Sequence, residues 1–134
     1  MKIGDFYTET ILFTQSQVDH FGKLTGDLNP VHYEDTAAIK LGFKGKIIHG
    51  FLSGSVFSKI IGMKFPGNGS IYLSQSLKFK RPIYTDISYK VHIEILDIIE
   101  EKKRLLLKTQ LLDINNNETL LDGEALVYFN QLIT

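Results

Sequence analysis

The sequence contains no cysteine. That excludes a disulfide framework, a thiol nucleophile and a thiolate metal site. It also lacks an excess of either charge. Fifteen basic residues face fifteen acidic ones, for a formal net charge of +0 with histidine neutral. No overall field therefore draws the chain to nucleic acid or to an anionic membrane. No apolar run approaches the roughly 18 residues of a membrane span, and the opening MKIGDFYTE has no apolar core of a secretory signal. The expectation is a cytoplasmic protein that binds neither nucleic acid nor membrane. Internal repeats, low-complexity stretches and interdomain linkers are missing too, so residues 1–134 read as a single domain. What is present is ordinary for a globular chain, 43% hydrophobic and 22% charged.

The two halves of the chain have different periods. After a short strand around Phe6 to Phe13, Thr14 to Gly26 carries helix marks. Thr14 and Gln17 form a capping-box pattern, Val18, Phe21 and Leu24 share a face, and Gly26 is a stop. Pro30 pushes Asn29 out of the helical region, so DLNPVH is a turn with pre-set backbone angles. A short helix follows from about Asp35, with Gly42 as its cap. IIHGFLSGSVFSKIIG, Ile47 to Gly62, is apolar on more than one face and predicts a helix buried nearly all round. Gly54 in its middle implies a close neighbour. Beyond the PGNG loop the period becomes two. Ile71, Leu73, Gln75, Leu77 and Phe79 are expected on one face of a strand, and further strands at Ile87 to Ile99, Arg104 to Ile114 and Thr119 to Phe129. Four antiparallel strands after a buried helix predict an α+β chain with a sheet wrapped around that helix. The apolar strand LLLKTQLL is expected to leave surface that a homodimer would cover.

Chemistry concentrates in two places. Asp27 and His32, five apart on a proline-fixed turn, can converge, whereas on a helix they would diverge by about 140°. A carboxylate and an imidazole together can hold one water and move its proton. Asn29 can brace the turn. Asp27 and Asn29 are also ordinary turn formers, and the spacing leaves both readings open. His49 and Gly50 open the buried helix, whose first N–H groups lack intrahelical partners and carry partial positive charge. A carbonyl set against the Gly50 N–H would be polarised there. His49 reads either as a neighbour of bound substrate or as a helix cap.

Other chemistries are weaker. No histidine pair has the HExxH spacing of a metal site. Ser53, Ser55 and Ser58 lie in a helix without a G-x-S-x-G elbow. Lys78, Lys80 and Arg81 can pair with phosphates or simply form a solvated strand face.

GDLNPVHYED, followed seventeen residues after His32 by His49 and Gly50, resembles the hydratase motif of the MaoC-like family. The likeness is greatest to its stand-alone (R)-specific enoyl-CoA hydratases. It continues through IIHGFLSGSVFSKIIG, PGNGSIYLSQSLKFKRPI and LLDGEALV. The resemblance implies a hot-dog fold, a long central helix wrapped by an antiparallel sheet, working as a homodimer. It implies reversible hydration of a trans-2-enoyl-CoA to the (R)-3-hydroxyacyl-CoA, with no metal and no redox cofactor. By position, Asp27 and His32 would be the catalytic dyad and Gly50 the donor to the thioester oxygen. Asn29, His49 and Ser58 would stand on the substrate side, Asn29 as support for the turn and Ser58 orienting the dyad. Phe57, Ile60, Ile61 and Leu126 would wall an acyl tunnel. Thr85 stands where such proteins often have glycine, which is expected to change only a connecting turn. Two alternatives remain: a 3-hydroxyacyl-[acyl-carrier-protein] dehydratase, and a non-catalytic acyl-thioester-binding hot-dog protein.

Overall fold

A computed structural model describes residues 1–132. Strand β1 (Phe6–Leu12) leads into helix α1 (Gln15–Thr25), a 3-10 turn (Pro30–His32), helix α2 (Asp35–Lys40) and helix α3 (Gly50–Met63). Strands β2 (Ser70–Gln75), β3 (Lys78–Phe79), β4 (Ser88–Ile99), β5 (Arg104–Asp113) and β6 (Thr119–Phe129) complete it. All the strand pairs are antiparallel, in the order β1-β4-β5-β6-β2, with β3 also on β6. This is the helix-in-sheet arrangement the sequence predicts. No helix is long and apolar enough to cross a membrane among the described residues.

The caps work as their residues suggest. Thr14 accepts from the Gln17 N–H and the Gln17 side chain reaches back, while Gly26 ends α1 at φ 80°. Of the expected apolar face, Val18 is buried and Phe21 is half-buried, but Leu24 is 84% exposed. The inward position next to it is Gly22, taken up by the Tyr33 phenol. Helix α3 starts at Gly50, three residues later than the apolar run. Ile47 and Ile48 are instead tied to Tyr84 and Ile83 as extended chain, which delivers His49 to the N-cap.

Phe57, Ile60 and Ile61 of α3 are fully buried against Val91, Ile93, Leu105, Leu107 and Val127 of the sheet. Each such side chain contributes about 1.5–3 kcal/mol relative to exposure. Leu77 packs on Gly54, its Cδ1 only 3.0 Å from where a Cβ would stand. Behind Leu77, Gln75 donates to Thr109 (2.9 Å) at the buried centre of β5.

Three expectations about the sheet change. LLLKTQLL is the middle strand, with Leu105, Leu107 and Leu111 buried inside this one chain, so it leaves no surface to cover. The run from Ser70 to Phe79 is two strands, with a register shift between Tyr72 and Ser74. An extra residue in one strand reverses which side chains face inward. Tyr72 and Gln75 therefore point to the core, while Ile71 (59%) and Leu73 (44%) are exposed. Uncovered apolar surface thus lies on β2, one of the two edges of the sheet. Thr85 sits in the turn before β4, where Asp86, not Thr85, takes the left-handed conformation at φ 62°.

Candidate active site

The turn after α1 is held by its own short polar side chains. Thr25 Oγ1 accepts from the Asp27 N–H (3.2 Å), Asp27 Oδ1 from the Asn29 N–H (3.3 Å), and Asn29 Oδ1 from the Val31 N–H (3.3 Å). These are the local bonds that make Asp and Asn turn residues. Pro30 then opens a single 3-10 turn that ends on His32. Tyr33 fastens the turn to α1 by donating its hydroxyl to the Val18 carbonyl (3.2 Å). The amide oxygen of Asn29 is thereby committed to the backbone, and its role is bracing the turn.

His32 is buried, and its Nδ1 lies 2.8 Å from the Ile47 carbonyl. A carbonyl only accepts, so Nδ1 carries the proton and Nε2 keeps the lone pair of the neutral ring. His49 Nε2 in turn donates to the main-chain carbonyl of Asp27 (3.0 Å). The His49 Nδ1 is buried with no partner among the described residues, at a cost of about 1–3 kcal/mol. The two rings lie against each other at a tilt, 3.9 Å between centroids and 32° apart. One carboxylate oxygen of Asp27 and one ring nitrogen from each histidine all fall within 4.8 Å of one another. That is the separation of groups that share one water. Burial pushes the His32 pKa below its usual value, and the neighbouring His49 adds to this, against the Ile47 carbonyl and Asp27. The imidazole is therefore held neutral at pH 7, ready to accept a proton.

A carboxylate and two imidazoles are also a zinc donor set. Each ring already donates one nitrogen to a main-chain carbonyl, which leaves one nitrogen per ring for a water or an ion.

Beside His32 opens a cleft of about 340 Å³, lined by Gly50, Ser53, Phe43, Phe79, Ile83 and others. Gly50 is the first residue of α3, so its N–H has no partner within the helix. The Phe79 ring lies 2.9 Å from where a Gly50 Cβ would be. Any side chain at position 50 would push the ring away and block approach to that N–H. Asp27 is exposed and does not line the cleft; it reaches the site from the turn side of His32. Lys80 and Arg81 line the cleft as well. Arg81 is engaged by Glu118 (2.8 Å), and Lys80 only loosely by Asp122 (3.8 Å). Lys78 lines a different hollow, with Lys108 and Gln110.

Several expected site residues lie elsewhere in the chain. Ser58 is exposed, two turns and about 12 Å along α3 from Gly50. It lines a separate groove with Phe51, Leu73 and Leu77, and does not orient this dyad within one chain. Ile61 is 1% exposed, a core residue rather than a tunnel wall. Leu126 alternates with buried Ala125 and Val127 and so points to the far side of β6. The pleat puts Val127, not Leu126, on the α3 side. His49 caps nothing with its side chain and does not line the cleft. Ser53, Phe43 and Phe79 are cleft residues that sequence reasoning did not place there. The signal for Ser53 was its position one turn after Gly50, on the same face of the helix.

Residues 4–116 match the family described as MaoC like domain. An (R)-specific enoyl-CoA hydratase of Aeromonas caviae is 35% identical over 127 residues, covering 95% of this chain and 94% of that protein. A mitochondrial 3-hydroxyacyl-[acyl-carrier-protein] dehydratase of Arabidopsis thaliana is 32% identical over 127 residues, covering 93% of this chain and 75% of the relative. Among solved structures, the A. caviae (R)-hydratase involved in PHA biosynthesis superposes with a TM-score of 0.89. It shares 32% identity, over 96% of this chain and 97% of that one. An R-hydratase of Pseudomonas aeruginosa in the unliganded form gives 0.87 at 32% identity, over 96% and 82%. With a hot-dog fold and this sequence match, the chain belongs to the MaoC-like family of hydratases and dehydratases, and is a hydro-lyase.

Proposed function

We propose that this hydro-lyase is an (R)-specific enoyl-CoA hydratase using Asp27 and His32 as its dyad. The observation that carries the reading is a carboxylate oxygen and an imidazole nitrogen within 4.8 Å of each other, beside a cleft that the first N–H of α3 enters. An enoyl thioester is electrophilic at C3, and charge gathers on the thioester oxygen as water adds. The Gly50 N–H, at the positive end of a helix, stabilises that charge. Asp27 and His32 hold the water, remove its proton as its oxygen bonds to C3, and return a proton to C2. Both atoms arrive from the dyad's side, so addition is syn. Reversal of the same steps dehydrates the 3-hydroxyacyl thioester. Lys80 and Arg81 at the cleft favour a phosphate-bearing carrier. The likeness to the A. caviae hydratase along nearly the full length of both chains supports CoA as that carrier.

The test is loss of enoyl absorbance from crotonyl-CoA, run beside the crotonyl thioester of an acyl carrier protein. Faster turnover of the CoA ester is expected. Turnover of the carrier-protein thioester alone would shift the reading to the dehydratase of fatty-acid synthesis, and turnover of neither would leave a binding protein.

The active form on this reading is a homodimer built on β2. That strand is one edge of the sheet, with Ile71 and Leu73 exposed and Leu73 sharing a groove with Phe51 of α3, itself 73% exposed. A second copy pairing β2 with β2 about a two-fold axis satisfies the edge and covers the apolar side chains. Sedimentation is expected to give a dimer at micromolar concentration. A stable, active monomer would refute it.

A further inference from the structure

We propose that His49 is a positioning residue. It ties the main chain of Asp27 to the start of α3 and backs the His32 ring, and so sets how carboxylate and imidazole face each other without touching substrate. The proposal rests on the hydratase reading for its kinetic effects, though not for its structural ones. Asp27 is exposed, and among the described residues its carboxylate makes only the 3.3 Å bond to the Asn29 N–H within its own turn. Ile47, two residues before His49, holds the far end of the turn through Val31 and His32, and the 3.0 Å bond from His49 Nε2 to the Asp27 carbonyl ties its near end to the start of the helix that carries Gly50. The same ring lies against His32 at 3.9 Å and against Phe21 at 4.9 Å, with the edge of Tyr33 at 5.9 Å. It is 2% exposed. One side chain thus touches the dyad turn, the dyad imidazole and the helix that carries the oxyanion donor.

Two observations separate this role from a bland one. The N-cap position of α3 would ordinarily be filled by Ser, Thr, Asp or Asn, which bond the first N–H groups; His49 makes no such bond. Its Nδ1 is buried without a partner among the described residues, which a merely packing residue would avoid. Both liabilities are retained where an imidazole links Asp27 and His32. The charged and titratable groups facing His32 are Asp27 from the turn, His49 from α3, Tyr33 next in sequence, and Lys80 and Arg81 across the cleft. Of these, only His49 stacks on the ring. It helps to lower the His32 pKa, so its loss makes His32 easier to protonate.

The experiment compares His49→Phe, which keeps a flat ring but has no donor, with His49→Gln, which keeps a donor near the Nε2 position but no ring. Each is made in the wild-type and the Asp27→Asn backgrounds. Crotonyl-CoA hydration gives kcat and KM, melting gives the folded fraction, and NMR titration follows the His32 ring. His49→Phe is expected to lower kcat about ten- to a hundredfold, with KM within about twofold since no substrate contact is lost. His49→Gln should recover part of that loss. In the Asp27→Asn background His49→Phe should cost no more than about twofold, because groups acting through one another are not additive. The His32 titration midpoint should rise in His49→Gln. The proposal is overturned if His49→Phe keeps near-normal kcat, or if its cost is the same in both backgrounds. If His49→Phe does not fold, the Gln variant decides: wild-type kcat together with an unmoved His32 titration sinks the idea. Should the wild-type protein hydrate nothing, the functional reading fails by itself, and the titration of His32 in His49→Gln still decides for or against the link.

Discussion

Asp27→Asn and His32→Asn are each expected to lower kcat for crotonyl-CoA hydration by at least about a hundredfold, the usual contribution of a positioned acid or base. In barrier terms that is about 3 kcal/mol or more. Neither change should cost much stability. Asp27 is exposed, and asparagine keeps an oxygen that accepts from the Asn29 N–H. Asparagine at position 32 places its amide nitrogen where Nδ1 sits, so the bond to the Ile47 carbonyl survives while the group that takes up a proton is lost. The double variant should be little slower than either single one, as expected of two groups proposed to act on one water. Near-normal turnover by either single variant would remove the dyad from the mechanism. A loss that merely tracks unfolding would reduce DLNPVH to a structural turn.

Gly22→Ala is expected to lower both the melting temperature and kcat, against the ordinary rule for a helix interior. Replacing glycine by alanine there usually gains about 1 kcal/mol. Here the new Cβ would meet Tyr33 Oη at 1.7 Å, Tyr33 Cζ at 2.9 Å and the Asp27 carbonyl at 3.2 Å. The phenol has to swing out, breaking its bond to the Val18 carbonyl. Overpacking of this kind costs about 1–3 kcal/mol, and the broken bond about 1 kcal/mol more, so destabilisation wins. Activity falls too, because the displaced residue follows His32 directly and the third crowded atom belongs to Asp27. Tyr33→Phe added to Gly22→Ala removes the atom in worst conflict and should restore part of the melting temperature. A higher melting temperature for Gly22→Ala alone would contradict this packing.

The parts of the fold readable from sequence are those that local chemistry specifies. Thr14, Gln17 and Gly26 set the ends of α1 through bonds within a few residues, and Pro30 fixes the turn by sterics alone. The span of β6 agrees because the polar NNN turn bounds it, although a register shift at Leu120 interrupts its alternation. The β2 region failed for a definite reason: a bulge moves side chains to the other face without changing the pattern of residue types. The same limit explains Leu126, where choosing between adjacent apolar residues requires the pleat. In the site, Asp27, Asn29 and His32 were legible because they lie on one turn. The place of His49 was not, since its partner is a main-chain carbonyl twenty-two residues away and a carbonyl has no residue type to read. Ser53 and Phe79 were hidden for a related reason: their share in the cleft depends on how α3 crosses β3.

At the far end of α3, Lys59 and Lys64 both grip Glu9 of β1, at 3.1 Å and 2.7 Å. Lys64 foremost, then Tyr7 and Lys59, hold the Glu9 carboxyl down to about 2 against its burial. A depressed carboxyl contributes stability that is complete above its unfolded value of 4.5 and fades only as pH falls toward about 2. Around neutrality, where an imidazole changes charge, this clamp does not change at all. The helix that presents Gly50 therefore keeps its anchorage across the range in which an imidazole titrates. A rate profile measured between pH 5 and 8 consequently reports proton traffic in the site, uncontaminated by loosening of this anchor.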